Sequence, residues 1–179
     1  GGPVTTVLRV LVVEDEPEVA LVTRGFVERH PGFQVVAVAP TGEQALDAAE
    51  TLAPDVVLLD VHLPDMSGLT VLRRLRSRGS RVEVVAVTAA RDLETVRMAR
   101  TQGVRHYLVK PFDMQTLHQR LDDVHRAVVQ ERALAASTLD QAGIDAVLGS
   151  QSGPRHVRKG VNDRTLQTVE AALADAGSD

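Results

Sequence analysis

The stretch Pro54-Asp55-Val56-Val57-Leu58-Leu59-Asp60 decides the fold. Four consecutive large or branched apolar residues read as a strand buried on both faces, the kind found inside a parallel sheet. The run stops abruptly on Asp60, and Val61-His62-Leu63-Pro64-Asp65-Met66-Ser67-Gly68 follows as a loop leading into a helical pattern. Open α/β sheets bind ligands at the carboxyl ends of their strands. Asp60 stands at such an end and is the first candidate site residue.

The same unit repeats on both sides. Val7–Val13 predicts a first strand that ends on the acidic pair Glu14-Asp15. Glu16-Pro17 opens a helix, proline being tolerated in a first turn, and Pro31-Gly32 stops it. Phe33–Ala39 predicts strand two, and Thr41-x-x-Gln44 a capping box that opens a helix to about Leu52. After Asp60, Leu69, Leu72 and Leu75 define a third helix, closed near Gly79. Val82–Val87 predicts strand four, ending on Thr88, and a fourth helix spans about Asp92 to Gln102 with Gly103 as its cap. Arg105–Val109 predicts strand five, ending on Lys110-Pro111. A fifth helix opens near Asp113; Leu117, Leu121, Val124 and Val128 form its core stripe, and their extension could also carry a dimer contact. The helical pattern continues into Glu131-Arg132-Ala133-Leu134, which predicts a connector.

Strands alternating with helices predict a flavodoxin-like (βα)5 doubly wound parallel sheet of order 2-1-3-4-5, with a C-terminal helical segment added. That order places strands one and three side by side. Glu14, Asp15 and Asp60 then meet in one crevice, flanked by Thr88 and Lys110. Residues 1–6 are set aside, because Gly1-Gly2-Pro3 reads as a remnant of tag removal. Residues 7–131 form the predicted main domain, and 132–179 a connector with a short helical segment.

Composition narrows the classes. The chain has 179 residues, 44% of them hydrophobic, so a real core is available, but aromatics make up only 2% and Val, Leu and Ala must fill it. A formal net charge of -4 argues against nucleic-acid binding by bulk charge and against a basic membrane-surface protein. Without cysteine there are no disulfides and no thiolate metal sites, which suits a cytoplasmic protein. No apolar run reaches the roughly 18–20 residues of a membrane span.

Three crowded carboxylates need a cation to stay ionised together. An all-oxygen donor set suits a hard ion, Mg2+ or Mn2+. Asp15 and Asp60 are expected to bind it directly, Glu14 partly through water, and the main-chain carbonyl of His62 to add an oxygen. Phosphoryl transfer asks mostly for positioning and neutralisation of charge. Asp60 is then the nucleophile and phosphoacceptor. Lys110 and Thr88 hold phosphoryl oxygens. Tyr107, three residues before Lys110, is a switch partner that fills the space Thr88 vacates.

These residues resemble the receiver domain of two-component response regulators. The resemblance rests on Glu14-Asp15, Asp60 with Leu63-Pro64-Asp65-Met66-Ser67-Gly68, Thr88-Ala89, and Tyr107-Leu108-Val109-Lys110-Pro111-Phe112. It covers about residues 7–130. It implies phosphorylation of Asp60 by a sensor histidine kinase, Mg2+ dependence, self-catalysed dephosphorylation and a cis Lys110-Pro111 bond, with no further enzymatic activity.

The tail is similar to the regulators of citrate and C4-dicarboxylate metabolism, through Gln141, Ile144-Asp145, Lys159-Gly160 and Thr165-Leu166-x-x-Val169. That implies a helix-turn-helix and a transcription-regulating output, with DNA bound through the full-length effector. Homodimerisation on phosphorylation is plausible on this reading. The chain ends at Asp179, after what would be the first helix of that unit, so a recognition helix has no residues here. Arg155, Arg158, Lys159 and Arg164 are candidate phosphate contacts, or simply a solvated basic loop. His118 and His125 read as a solvated face, and the His62 side chain as facing solvent.

Two other functions compete. One is a stand-alone receiver acting through protein–protein binding. The other is a phosphatase with an aspartyl nucleophile. Haloacid-dehalogenase-like phosphatases need a second Asp two residues after the first, where this chain has His62, which argues against that enzyme.

Overall fold

The computed structural model describes residues 6–89 and 92–149. The elements, in chain order, are β1 (Leu8–Val13), α1 (Pro17–Glu28), β2 (Phe33–Ala39), α2 (Gly42–Leu52), β3 (Val56–Asp60), α3 (Gly68–Ser77), β4 (Glu83–Ala89), α4 (Leu93–Thr101), β5 (His106–Lys110) and α5 (Met114–Gly149). The five strands are parallel, in the order β2-β1-β3-β4-β5. Each returns through a helix, as parallel neighbours require. By its internal contacts the chain divides into Gly1–Arg132 and Ala133–Asp179.

The strand sequences explain the layers. Side chains alternate between the two faces of a strand. Val10, Val12, Val56, Leu58, Val85, Val87 and Leu108 join one core cluster with Val27 of α1 and Leu117, Leu121 and Val124 of α5. Leu11, Val13, Val57, Leu59, Val84 and Ala86 join the other, with Leu46 of α2, Leu72 and Leu75 of α3 and Ala99 of α4. All five residues of β3 are buried, as its unbroken apolar run predicts.

Helix ends follow local chemistry. The Gln44 N–H donates to Thr41 Oγ1 at 3.1 Å, and the Thr70 N–H to Ser67 Oγ at 3.2 Å, so both hydroxyls act as N-caps. Gly79 and Gly103, with φ of 84° and 86°, provide the left-handed residues after α3 and α4. At the amino edge of the sheet, Asp55 accepts from the Arg9 N–H at 2.8 Å and from the Arg132 guanidinium on α5. Arg105 there pairs with Glu83 at 3.0 Å and with Glu131 at 2.7 Å.

Two expectations about local structure need correction. The helical pattern at Gln141–Leu148 is no separate helix but part of α5, which continues through Gly143. An exposed glycine costs a helix only about 1 kcal/mol and need not end it. His118 and His125 do not form a solvated face either. The His118 Nε2 lies 2.7 Å from the Phe26 carbonyl oxygen and the His125 Nε2 2.7 Å from that of Thr6. The His30 and His118 rings pack edge-to-face, as do those of Phe33 and His125.

Candidate functional site

Strand parity aims the site. Glu14 follows the alternation of Val10 and Val12, Asp60 that of Val56 and Leu58, and Lys110 that of Leu108. All three therefore emerge at the carboxyl edge on the α1/α5 side. Glu14 and Asp60 are buried, at 4% and 5% exposure, and Asp15 beside them is exposed. One carboxylate oxygen from each of Glu14, Asp15 and Asp60 lies within 4.8 Å of the others.

Lys110 ties the buried pair together. Its Nζ donates to Glu14 Oε1 at 2.5 Å and to Asp60 Oδ2 at 2.9 Å. The remaining Asp60 oxygen, Oδ1, accepts from the His62 N–H at 2.9 Å, and Glu14 Oε2 accepts from the Glu16 N–H at 3.2 Å. Burial pushes the Glu14 carboxyl up from 4.5 to about 7, with Asp60 adding to the rise and Lys110 opposing it. Burial works against the Lys110 ammonium, but the hydrogen bonds and charges of Asp60 and Glu14 outweigh it and raise its pKa.

This donor set fits a hard divalent cation. It offers only oxygens, three of them acidic and close enough to share one ion, and it carries more negative charge than one lysine neutralises. The Lys110-Pro111 bond is cis, as the resemblance implies.

Thr88 and Tyr107 belong to the other face. Thr88 shares the parity of Val84 and Ala86, and Tyr107 packs against that same core, toward α4. Thr88 is buried, and its hydroxyl donates to the Ala89 carbonyl at 3.2 Å rather than to Asp60. The Tyr107 hydroxyl donates to the Val104 carbonyl at 2.8 Å and accepts from Arg100 Nε at 3.2 Å. Burial raises the Tyr107 pKa, against the pull of Arg100.

One contact was not expected from the sequence. The His62 side chain is 72% exposed, as predicted, yet its Nε2 lies 3.1 Å from Asp92 Oδ2. That contact joins the loop after β3 to the residue that precedes α4. Only a polar residue two places beyond Asp60 hinted at it. A cleft of about 510 Å³ opens beside Lys110, lined by Val19, Val22 and Thr23 of α1 and by Pro111 and Phe112. Arg155, Arg158, Lys159 and Arg164 lie outside the described residues.

The response regulator receiver domain family matches residues 10–122. The chain is 36% identical over 180 residues to the transcriptional regulatory protein CitT of Halalkalibacterium halodurans, covering 96% of this chain and 76% of that one. It is 35% identical over 171 residues to a protein of the same organism named "Probable C4-dicarboxylate response regulator DctR", covering 94% and 74%. Among solved structures, the receiver domain of AraT, a response regulator from Geobacillus stearothermophilus, superposes with a TM-score of 0.63 at 30% identity, covering 71% of this chain and 99% of that one.

Proposed function

Since the chain belongs to the response regulator receiver family, we propose that it is switched by transfer of a phosphoryl group from a sensor histidine kinase to Asp60. The observation that carries this reading is the buried Asp60 carboxylate, held by Lys110 at 2.9 Å inside a cluster of three acids. In the transfer step an Asp60 carboxylate oxygen bonds to phosphorus. The phosphorus–nitrogen bond to the kinase histidine breaks, its electron pair stays on that ring nitrogen, and the imidazole, protonated on its other nitrogen, leaves as the neutral ring.

Mg2+, or Mn2+, would be held by Glu14, Asp15, Asp60 and the His62 carbonyl, and supplies charge neutralisation for the incoming phosphoryl group. Lys110 takes a phosphoryl oxygen as a point charge, exchanging part of its present contact with the acids. Thr88 turns from the Ala89 carbonyl toward the new oxyanion, and Tyr107 follows on the same face of β4 and β5. The apolar cleft beside Lys110, lined by Val19, Val22 and Phe112, offers the kinase a docking surface.

The output proposed is transcription regulation in the cytoplasm. It rests on the likeness to regulators named for citrate and C4-dicarboxylates, which extends over most of the chain. In this reading 7–131 is the receiver and 132–179 a connector with a DNA-binding effector segment, with Arg155, Arg158, Lys159 and Arg164 as candidate contacts. Among the described residues no helix is long and apolar enough to cross a membrane.

The test is intact mass spectrometry after incubation with acetyl phosphate and Mg2+. One phosphoryl mass is expected on the wild-type chain and none on Asp60→Asn. Phosphorylation that persists in Asp60→Asn overturns the assignment.

A further inference from the structure

We propose that Asp65 is a positioning residue for the divalent-cation site: it fastens the tip of the loop after β3 to the first turn of α2 and so fixes the His62 carbonyl. The inference rests on the metal reading given above.

The loop is closed at its base by backbone. The Gly68 N–H donates to the Val61 carbonyl at 2.9 Å, and His62 and Ser67 form an isolated antiparallel bridge. At its tip, side chains also hold it to α2. Asp65 Oδ1 accepts from the Gly42 N–H at 2.8 Å, and Oδ2 from the Glu43 N–H at 3.0 Å. These two bonds also hold the Asp65 carboxyl below its usual range.

Met66 lies over the same turn. A Cβ at Gly42 would stand 2.4 Å from Met66 Cγ and 2.6 Å from its Sδ, so the Met66 side chain packs directly onto the bare backbone of the helix start.

The division of labour at α2 separates anchoring from capping. The first helical amides of any helix lack intrahelical partners. Thr41, the N-cap, already serves Gln44. Gly42 and Glu43 are served from the loop, 23 and 22 residues away in sequence. Glu43 is exposed and water could replace Asp65 at its amide, but Gly42 is buried, so the carboxylate serves the start of the helix as well as the loop. Groups behind a metal ligand orient it and tune its affinity. Asp65 acts in that way on His62, three residues earlier. By linkage, cation binding should in turn tighten the Asp65 bonds to α2.

The test uses the whole chain and isothermal titration with Mg2+ alone. Asp65→Ala is expected to weaken Mg2+ about tenfold. Asp65→Asn, which keeps one acceptor oxygen, should weaken it less. Thr41→Ala removes the other cap of the same helix. It should lower the melting temperature as Asp65→Ala does, yet leave Mg2+ affinity within about twofold. In the wild type, Mg2+ should slow amide exchange at Gly42 and Glu43. Mg2+ binding that Asp15→Asn abolishes but Asp65→Ala leaves unchanged overturns this proposal alone. Mg2+ binding that Asp15→Asn does not touch overturns the metal reading and this proposal with it.

Discussion

The Lys110 ammonium reaches Asp60 Oδ2 at 2.9 Å although β4 lies between the strands that carry them. A long, flexible side chain is needed to span a neighbouring strand, and a point charge suits a partner that must later be exchanged. In the state described here the lysine neutralises a pair of buried acids rather than a phosphoryl group.

Replacing Lys110 with Met should therefore destabilise the metal-free protein by about 1–3 kcal/mol, less than the full cost of breaking a buried pair because the lysine is partly exposed. The loss should be largest above pH 7, where Glu14 is ionised, and Mg2+ should restore part of it. Urea unfolding with and without Mg2+ measures both effects. Equal stability of the two proteins at pH 8 without Mg2+ would contradict the pairing.

The raised carboxyl of Glu14 makes both stability and metal binding depend on pH. Its pKa is about 7 in the folded chain against 4.5 as a free group, so the native state holds the proton more tightly. The resulting stability is complete below about pH 4.5 and is lost as pH rises through about 7. Mg2+ needs the ionised form and must displace that proton. Its affinity should rise roughly tenfold between pH 6 and pH 8, and Glu14→Gln should flatten the profile. Calorimetry across that range decides.

Tyr107 is the single tyrosine, and the chain has no tryptophan. Intrinsic fluorescence therefore reports one ring, now bonded to the Val104 carbonyl and Arg100. Acetyl phosphate with Mg2+ should change that emission. Thr88→Ala should remove most of the change while Asp60 still gains its phosphoryl mass. An emission change that survives in Thr88→Ala would sever the proposed coupling.

Gly68 admits no side chain. A Cβ there would lie 2.4 Å from the Asp60 carbonyl oxygen and 2.8 Å from Val61 Cα, both backbone atoms that cannot swing aside. Gly68→Ala should cost about 3 kcal/mol and slow phosphorylation of Asp60. Thermal unfolding and the acetyl phosphate assay read the two consequences separately.

Much of this was legible in the chain. The apolar runs at Val10–Val13, Val56–Leu59 and Val84–Val87 admit little but buried parallel strands, and the residues that end them assemble at one edge. What escaped were partners chosen by the paths of loops and turns. Nothing near His62 in sequence announces Asp92, nothing near Asp65 announces the amides of α2, and His118 finds the Phe26 carbonyl 92 residues away. Strand four is expected to end on Thr88, and β4 runs one residue further, to Ala89. Lying inside β4, Thr88 obeys the strand's alternation, and its hydroxyl starts on the side away from Asp60.

Asp60 and Asp55 stand at opposite ends of one short strand, and Asp55 grips Arg132 on α5. With Glu131 held by Arg105 alongside, α5 is clamped crosswise at that height. Any displacement of the helix at that height, along its axis or about it, has to stretch both ion pairs, so the exit of the chain from the sheet is pinned at the edge opposite the acidic crevice.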